Sequence, residues 1–307
     1  MQTTNNILLV RPSNFVFNIE TAASNAFQHK ASENEETTKQ KVISEFEVFA
    51  TTLQSKGVNV FVMDDTINPQ KPDAVFPNNW VSFHPDGMVI LYPIYAPNRR
   101  HERRQDILDT LKKDFEIKQL LDLSHYENEG MFLEGTGSIV FDHRHKIAYA
   151  CLSPRTNKEL FVKVCNHLQY KPIWFQAYDN GGMEIYHTNV MMCVGERFAV
   201  ICLDSISNNQ EREFVLQSLK ESGHQVIDIT WEQMNHFAGN MLELQTNEGK
   251  SIVAISQSAF DSLTQSQKTE IGKYGELVPL YVNTIETIGG GSARCMIAEV
   301  FLKPIVH

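Results

Sequence analysis

The stretch GSIVFDHRHKIAYACLS, residues 137–153, is a β-rich run, a short charged turn and a second β-rich run. Two such runs joined by a polar turn read as a β-hairpin. The design returns as NWVSFHPDGMVILYP from Asn79, NVMMCVGERFAVICLDS from Asn189 and NMLELQTNEGKSIVAISQS from Asn240, and a shorter copy begins around Arg294. The starts at 79, 137, 189, 240 and 294 are separated by 58, 52, 51 and 54 residues. A steady period of this size marks a repeat architecture.

Between the hairpins the chain also repeats. Charged amphipathic stretches predict helices near 34–56, 101–115, 157–168, 209–222 and 260–272. Each is followed by a β-rich run: VNVFVMD, EIKQLLDL, KPIWFQ, HQVIDIT and ELVPLYV. The unit is therefore ββαβ, five times over. The fifth hairpin, SARCMIAEVFLKP, is short, so its partner is expected to be the N-terminal run NILLVRP. That pairing closes a ring and protects sheet edges, as in propellers. The expected fold is one α/β domain over residues 1–307, a five-bladed, pseudo-symmetric α/β propeller.

Composition narrows the class. With 307 residues, 42% of them hydrophobic and 10% aromatic, the chain can bury a large core. Its net charge of −10 argues against a nucleic-acid surface, which needs a clustered basic footprint. The nearest basic run, NRRHERR from Asn98, reads as a solvated helix face. No apolar segment approaches the ~20 residues of a membrane span, and the start MQTTNNILLVRPSN has no basic n-region, so the cytoplasm is the expected compartment. The five cysteines, an odd count, have no framework spacing. Cys151, Cys165, Cys193 and Cys202 lie in apolar runs and read as core; Cys295 alone follows a glycine-rich approach, GGGSAR.

Equivalent loops of a closed ring converge on one end of its axis. The loops ahead of the hairpins carry Asp73, Asn78, Asn79, Glu134, His187, Asn189, His236, Asn240 and Cys295. A nucleophile, an imidazole and a carboxylate thus meet through the repeat. An imidazolium lowers a thiol pKa and makes the attacking thiolate. His187 is the candidate partner, able to protonate a departing nitrogen and then deprotonate water. Blander readings stand beside this one. His187 could be a hydrogen-bonded loop residue, Glu134 could accept backbone N–H groups of its glycine loop, and a metal site of His187, His236 and Cys295 matches no zinc spacing.

Four motifs, PDAVFPNNW, FLEGTGS, YHTNVMM and GGGSARCM, resemble in order and spacing the site motifs of the guanidino-group-modifying superfamily, the penteins. That group includes dimethylarginine dimethylaminohydrolases, arginine deiminases, succinylarginine dihydrolase and amidinotransferases. The resemblance covers nearly the whole chain and implies the same five-bladed ββαβ fold. It implies Cys295 attacking the central carbon of a guanidino-like substrate, with His187 as acid and base. Asp73 and Glu134 would then hold substrate nitrogens, and Phe76, Asn78, Asn79 and Asn189 belong to the matched substrate-binding motifs. Arg99 and Arg155 would grip a substrate carboxylate, while Gly290 and Gly291 line the cleft. No cofactor and no metal is implied. The expected partner is a small amino-acid substrate, with neither nucleic acid nor membrane; a homodimer is left open.

One departure bears on substrate. Asn78 and Asn79 replace the acidic pair of dimethylarginine hydrolases, and Asn189 replaces an aspartate of the deiminases. Missing negative charge suits a neutral, citrulline-like ureido group better than a guanidinium, although succinylarginine enzymes also use asparagine near the head group. A hydrolase is the first reading. An amidinotransferase shares its first half-reaction, and a non-catalytic amino-acid-binding propeller or a redox-sensing Cys295 come from other classes. RPSNF, from Arg11, is a candidate lid by position. Cys295→Ser is expected to abolish turnover while sparing substrate binding; wild-type activity in that variant, measured by product formation, overturns the assignment.

Overall fold

The computed structural model describes residues 1–30 and 34–305, so residues 31–33 and 306–307 of the expected 1–307 domain lie outside the described residues. Among the described residues, fifteen strands form five three-stranded sheets. In chain order they begin with β1 (Asn6–Arg11) and β2 (Asn59–Asp64). The first complete hairpin sheet is β3 (Val81–Phe83), β4 (Met88–Leu91) and β5 (Gln119–Asp122). Next come β6 (Val140–Asp142), β7 (Ile147–Cys151) and β8 (Lys171–Phe175). The third set is β9 (Met192–Val194), β10 (Phe198–Ile201) and β11 (Gln225–Asp228). The fourth is β12 (Leu242–Gln245), β13 (Ser251–Ser256) and β14 (Glu276–Leu280), and β15 (Ala298–Glu299) ends the series.

Each sheet obeys one rule: the first strand runs antiparallel to the second, and the third, after a helical crossover, runs parallel to it. The last sheet follows the same rule across the chain ends. β15 pairs antiparallel with β1, with Ile7 opposite Glu299, and β1 pairs parallel with β2. The ring expected from the repeat is thereby closed. First strands face one another around the axis, β15 against β3, β6 against β9 and β9 against β12. Gln2 reaches in and donates from Nε2 to the carbonyls of Phe141 (2.9 Å) and Val194 (3.0 Å), leaving an axial cavity of only about 30 Å³.

Four of the five crossovers, among the described residues, start at a side-chain cap, the exception being the one that leads to β5. Asn157 Oδ1 accepts Leu160 N at 3.1 Å and starts the helix Lys158–Leu168. Its Leu160, Phe161, Val164, Cys165 and Leu168 are buried, the i, i+4, i+8 stripe of a helix lying on a sheet. Asn34, Asn208, Ser256 and Thr264 cap others in the same way. Two helix expectations are corrected. The stretch 101–115 is a 3-10 turn, Pro97–Glu102, and a helix, Gln105–Leu111. Arg103 between them is extended, because its guanidinium is drawn aside to Glu127 at 2.6 and 3.0 Å. The stretch 260–272 is two helices, Gln257–Ser262 and Gln265–Ile271, the second recapped at Thr264 by a capping box with Gln267.

Four apolar clusters fill the spaces between sheets. All five cysteines are free and buried. Among the described residues no helix is long and apolar enough to cross a membrane. Leu8, fully buried on β1, packs in one cluster with Ala298 and Val300 from the other end of the chain. Leu8→Ala is expected to cost about 2–5 kcal/mol, read by urea unfolding; a loss below about 1 kcal/mol means that the closing seam carries little of the stability.

Candidate active site

The loops that precede the hairpins do converge at one end of the ring. The helix Asn283–Gly289 delivers the chain to Gly290, whose φ of +64° falls in the left-handed region. A Cβ there would lie 2.5 Å from Asn25 Nδ2, so both backbone conformation and space demand glycine. The Tyr186 hydroxyl donates to the Gly290 carbonyl. From this point the chain turns through Ser292 to Cys295, whose amide donates to Ser292 O at 2.9 Å.

Two side-chain amides point at the Cys295 sulfur: Asn240 Nδ2 at 3.3 Å and Asn189 Nδ2 at 3.4 Å. Asn240 is itself fixed, donating to Asn189 O at 2.8 Å and accepting Arg294 N at 3.0 Å. Burial pushes the thiol pKa up, and the Ser292, Asn240 and Asn189 contacts only partly offset it. The Cys295 thiol is therefore protonated at rest, with two amide donors directed at its sulfur.

His187 sits in extended backbone just ahead of the short helix Thr188–Met191. Its ring packs against Gly137, where a Cβ would fall 2.7 Å from Nδ1 and 2.6 Å from Asn79 Nδ2. Nε2 lies 2.8 Å from Glu134 Oε2. Glu134 is fully buried and its other oxygen accepts Tyr95 N at 3.0 Å. Burial would raise the Glu134 pKa, but Arg155, the His187 hydrogen bond and Arg99 together hold it below its ordinary value. A carboxylate only accepts, so His187 Nε2 carries the proton and Nδ1 the lone pair. Burial lowers the His187 pKa to about 4, against the upward pull of Glu134 and with further lowering by Arg155 and Arg99. The imidazole is therefore neutral near pH 7, and its contact is with Glu134 rather than an imidazolium–thiolate pair with Cys295.

Asp73 lies beside these groups. Its Oδ2 accepts Asn18 Nδ2 at 2.7 Å and is 3.4 Å from Arg99 Nε, while Oδ1 is buried without a hydrogen-bond partner. Burial raises its pKa and Arg99 opposes that. Arg99 binds Glu102 through two bonds of 2.9 Å and Asn79 Oδ1 through another of 2.9 Å. It is also 3.8 Å from Glu134. The basic run is thus no solvated face at Arg99, which is buried and brackets Asp73, Asn79 and Glu102 instead of standing free for a substrate carboxylate. Arg155 is the more available cation. It lies 4.9 Å from the centre of the Tyr186 ring and 3.6 Å from Glu134, and donates to Ser24 Oγ (3.1 and 2.7 Å) and Thr21 O (3.1 Å).

One cleft is lined by Asp73, Phe76, Asn79, Arg99, Arg155, His187, Gly290, Gly291 and Cys295, all anticipated, together with Asn25, Tyr186 and Gly289, which were not. Glu134 stands behind His187, Asn189 beneath Cys295, and Asn78 in the adjacent turn, so these three support the cleft without lining it. The remaining space is about 10 Å³, room for about one water. It is covered by residues 18–29: Asn25 Nδ2 reaches the carbonyls of Gly289 and Gly290, Gln28 Nε2 donates to Ile288 O, and His29 N to Thr287 O. RPSNF is not the cover, since Phe15 is core and Arg11 pairs with Glu47 and Asp64. The covering segment has no counterpart in the other repeats, which is why periodicity could not find it. His236 is exposed and lines a separate cavity of about 430 Å³, so it forms no trio with His187 and Cys295.

A family model described as N,N dimethylarginine dimethylhydrolase, eukaryotic, matches residues 11–302. No curated protein sequence matches the chain significantly. Among solved structures, apo ArgZ, an arginine dihydrolase from the ornithine-ammonia cycle in cyanobacteria, superposes with a TM-score of 0.74 at 14% identity, covering 98% of this chain and 41% of that one. The chain therefore spans about two fifths of full-length ArgZ. The N-terminal domain of ArgZ, as a cysteine-to-serine variant bound to substrate, gives 0.73 at 13% identity, covering 97% and 99%. A histidine-to-glycine variant of dimethylarginine dimethylaminohydrolase, as an adduct with S-methyl-L-thiocitrulline, gives 0.66 at 14%, covering 97% and 99%. These likenesses establish the five-unit pseudo-symmetric α/β fold.

Because Asn240 donates to the sulfur, Asn240→Ala is expected to raise the thiol pKa of Cys295. The midpoint of its alkylation rate against pH should move up by about one unit; an unmoved midpoint removes Asn240 from the thiolate's support.

Proposed function

The chain belongs to the eukaryotic N,N dimethylarginine dimethylhydrolase family, and from that premise we propose that it hydrolyses a linear C–N bond of an arginine- or citrulline-like amino acid through a covalent intermediate on Cys295. The observation that carries the reading is the convergence on one closed cleft of the Cys295 thiol, the neutral His187 backed by Glu134, and the unpartnered Asp73 Oδ1.

The chemistry follows from protonation states. Asp73 Oδ1 accepts an N–H of the head group and holds its central carbon over the sulfur. As that carbon is engaged, the thiol proton passes to His187, whose imidazolium is stabilised by Glu134 at 2.8 Å. The S–C bond forms and a tetrahedral centre collapses, while His187 returns the proton to the departing nitrogen. The neutral imidazole then takes a proton from water, which attacks the S-bound carbon; collapse breaks the S–C bond and restores the thiol. Asn189 and Asn240 steady the sulfur whenever it carries charge. Arg155 is the cation suited to the substrate carboxylate, once Ser24 and Thr21 of the covering segment release it.

Two observations bear on the head group. Asp73, Glu102 and Glu134 face Arg99 and Arg155 in the buried site; burial pushes the Glu102 pKa up to about 7, so the negative surplus is partial near neutral pH and grows above it, and it suits a guanidinium. A citrulline-like reading rests on Asn78. Arg99 donates to Asn79 Oδ1, so Asn79 Nδ2 donates onward to Asn78 Oδ1 at 2.9 Å, and Asn78 Nδ2 ends the relay as a buried donor without an acceptor. Asn78 stands behind the cleft and bears on the head group through Asn79, whose second Nδ2 hydrogen is left for an acceptor; a ureido carbonyl supplies one and a guanidinium does not.

Intact mass after acid quench, with arginine, methylated arginines, agmatine and citrulline offered separately, is the test, with peptide mapping of any adduct. The expected result is turnover with an amidino or carbamoyl group on Cys295, its mass naming the head group, and no change of product when glycine is added. Turnover without Cys295, or a glycine-derived product, overturns the reading. If citrulline is the substrate, Asn78→Asp should lower its kcat/KM by about tenfold or more while sparing arginine binding; an unchanged value excludes the relay from recognition.

A further inference from the structure

We propose that Asp142, His145 and His224 form a binding site for a zinc-class divalent transition-metal ion at the end of the ring away from the cleft. Asp142 closes β6 and His145 lies in the β6–β7 turn, whereas His224 leads into β11 of the neighbouring sheet. One ligand atom from each falls within 4.8 Å of the others. His145 Nδ1 is 2.9 Å from Asp142 Oδ2, and His224 Nε2 is 3.9 Å from the same oxygen. Tetrahedral zinc with bonds of ~2.0–2.1 Å needs ligand atoms about 3.3 Å apart, a length that these two separations bracket.

One tautomer of His224 leaves a place for a cation. The Ser222 hydroxyl lies 2.9 Å from Ser218 O and 3.1 Å from Leu219 O, where only the hydroxyl can donate. With its hydrogen committed to the helix, at 3.0 Å from His224 Nδ1 it accepts the ring N–H. In that tautomer Nε2 keeps a lone pair, facing the Gly195 carbonyl at 3.2 Å and the Asp142 carboxylate at 3.9 Å; in the other, Nε2–H donates to the Gly195 carbonyl. In the first tautomer three electron-rich atoms face one another in a buried corner, and a cation between them removes the repulsion. Asp142 is fully buried, and its ion-pair partners among the described residues are the two histidines. Ser222 acts as the outer partner that fixes a ligating imidazole. His145, with 33% of its side chain accessible, gives the ion a way in and a solvent position in its coordination. The ion would tie the sheet of β6 to the sheet of β9 at their hairpin ends, independently of catalysis in the cleft.

Co2+ titrated into the metal-stripped full-length chain is the test. The expected result is visible d–d absorption of a four-coordinate ion, saturating near one equivalent, without a sulfur charge-transfer band. The absorption should persist in Cys295→Ser and disappear in His145→Ala, whose surface position spares folding, as circular dichroism would verify. Zn2+ should displace the Co2+ and raise the unfolding temperature of the wild type but not of His145→Ala. No absorption, absorption lost with Cys295, or absorption indifferent to His145→Ala each overturns the site. The last result leaves His145 and Asp142 as a plain ion pair and His224 Nε2–H as donor to Gly195.

Discussion

The pairing of β15 with β1 is the contact on which the rest depends. A sheet of three short strands cannot bury itself, and five in a row would leave two raw edges. Joining the last strand to the first turns the row into a ring, so that every sheet has neighbours on both sides and each first strand faces the axis. The seam is only two residue pairs long. It is reinforced by apolar packing of Leu8 and Val10 against Ala298 and Val300. It also fixes the last loop, with Cys295, against the loops bearing Glu134 and His187.

Closure creates an electrostatic problem at the cleft. Asp73, Arg99, Glu102, Glu134 and Arg155 are each no more than 2% exposed. Unpaired, such charges would carry a large desolvation penalty, and the observed network answers it by sharing: Arg99 touches three carboxylates and Glu134 touches two guanidiniums. The network also sets the chemistry. Burial and two neighbouring guanidiniums keep His187 neutral, while the Glu134 contact fixes the orientation of its ring. Segment 18–29 completes the enclosure by supplying Asn18 to Asp73 and Ser24 to Arg155.

Hairpins were legible because alternation and turn chemistry are local. The turn of residues 84–87, for example, ends on Gly87 with φ of +90°, a conformation only glycine adopts freely. Third strands were legible because each follows an amphipathic, charged helical stretch. The stretch 101–115 was misread because helical propensity cannot register that Arg99 and Arg103 are pulled inward by Glu102 and Glu127, partners fixed by folding. The core role of four cysteines was legible from their apolar neighbours. Burial of the fifth was not, because GGGSAR is polar and small in isolation yet is sealed by Asn25, Gln28 and Phe76.

By itself the sequence determined the repeat, the order of strands and helices, the closing partnership of the two ends and the convergence of cysteine, histidine and glutamate. All of these follow from periodicity and from spacing along the chain. Only the tertiary structure decided which atoms face which: Nε2 of His187 toward Glu134, two asparagine amides toward sulfur, Arg99 spent on Glu102 and Asn79, and an unpartnered oxygen on Asp73. Periodicity places a residue at one end of the ring, but the direction of a side chain, its desolvation and hence its protonation depend on neighbours tens to hundreds of residues away.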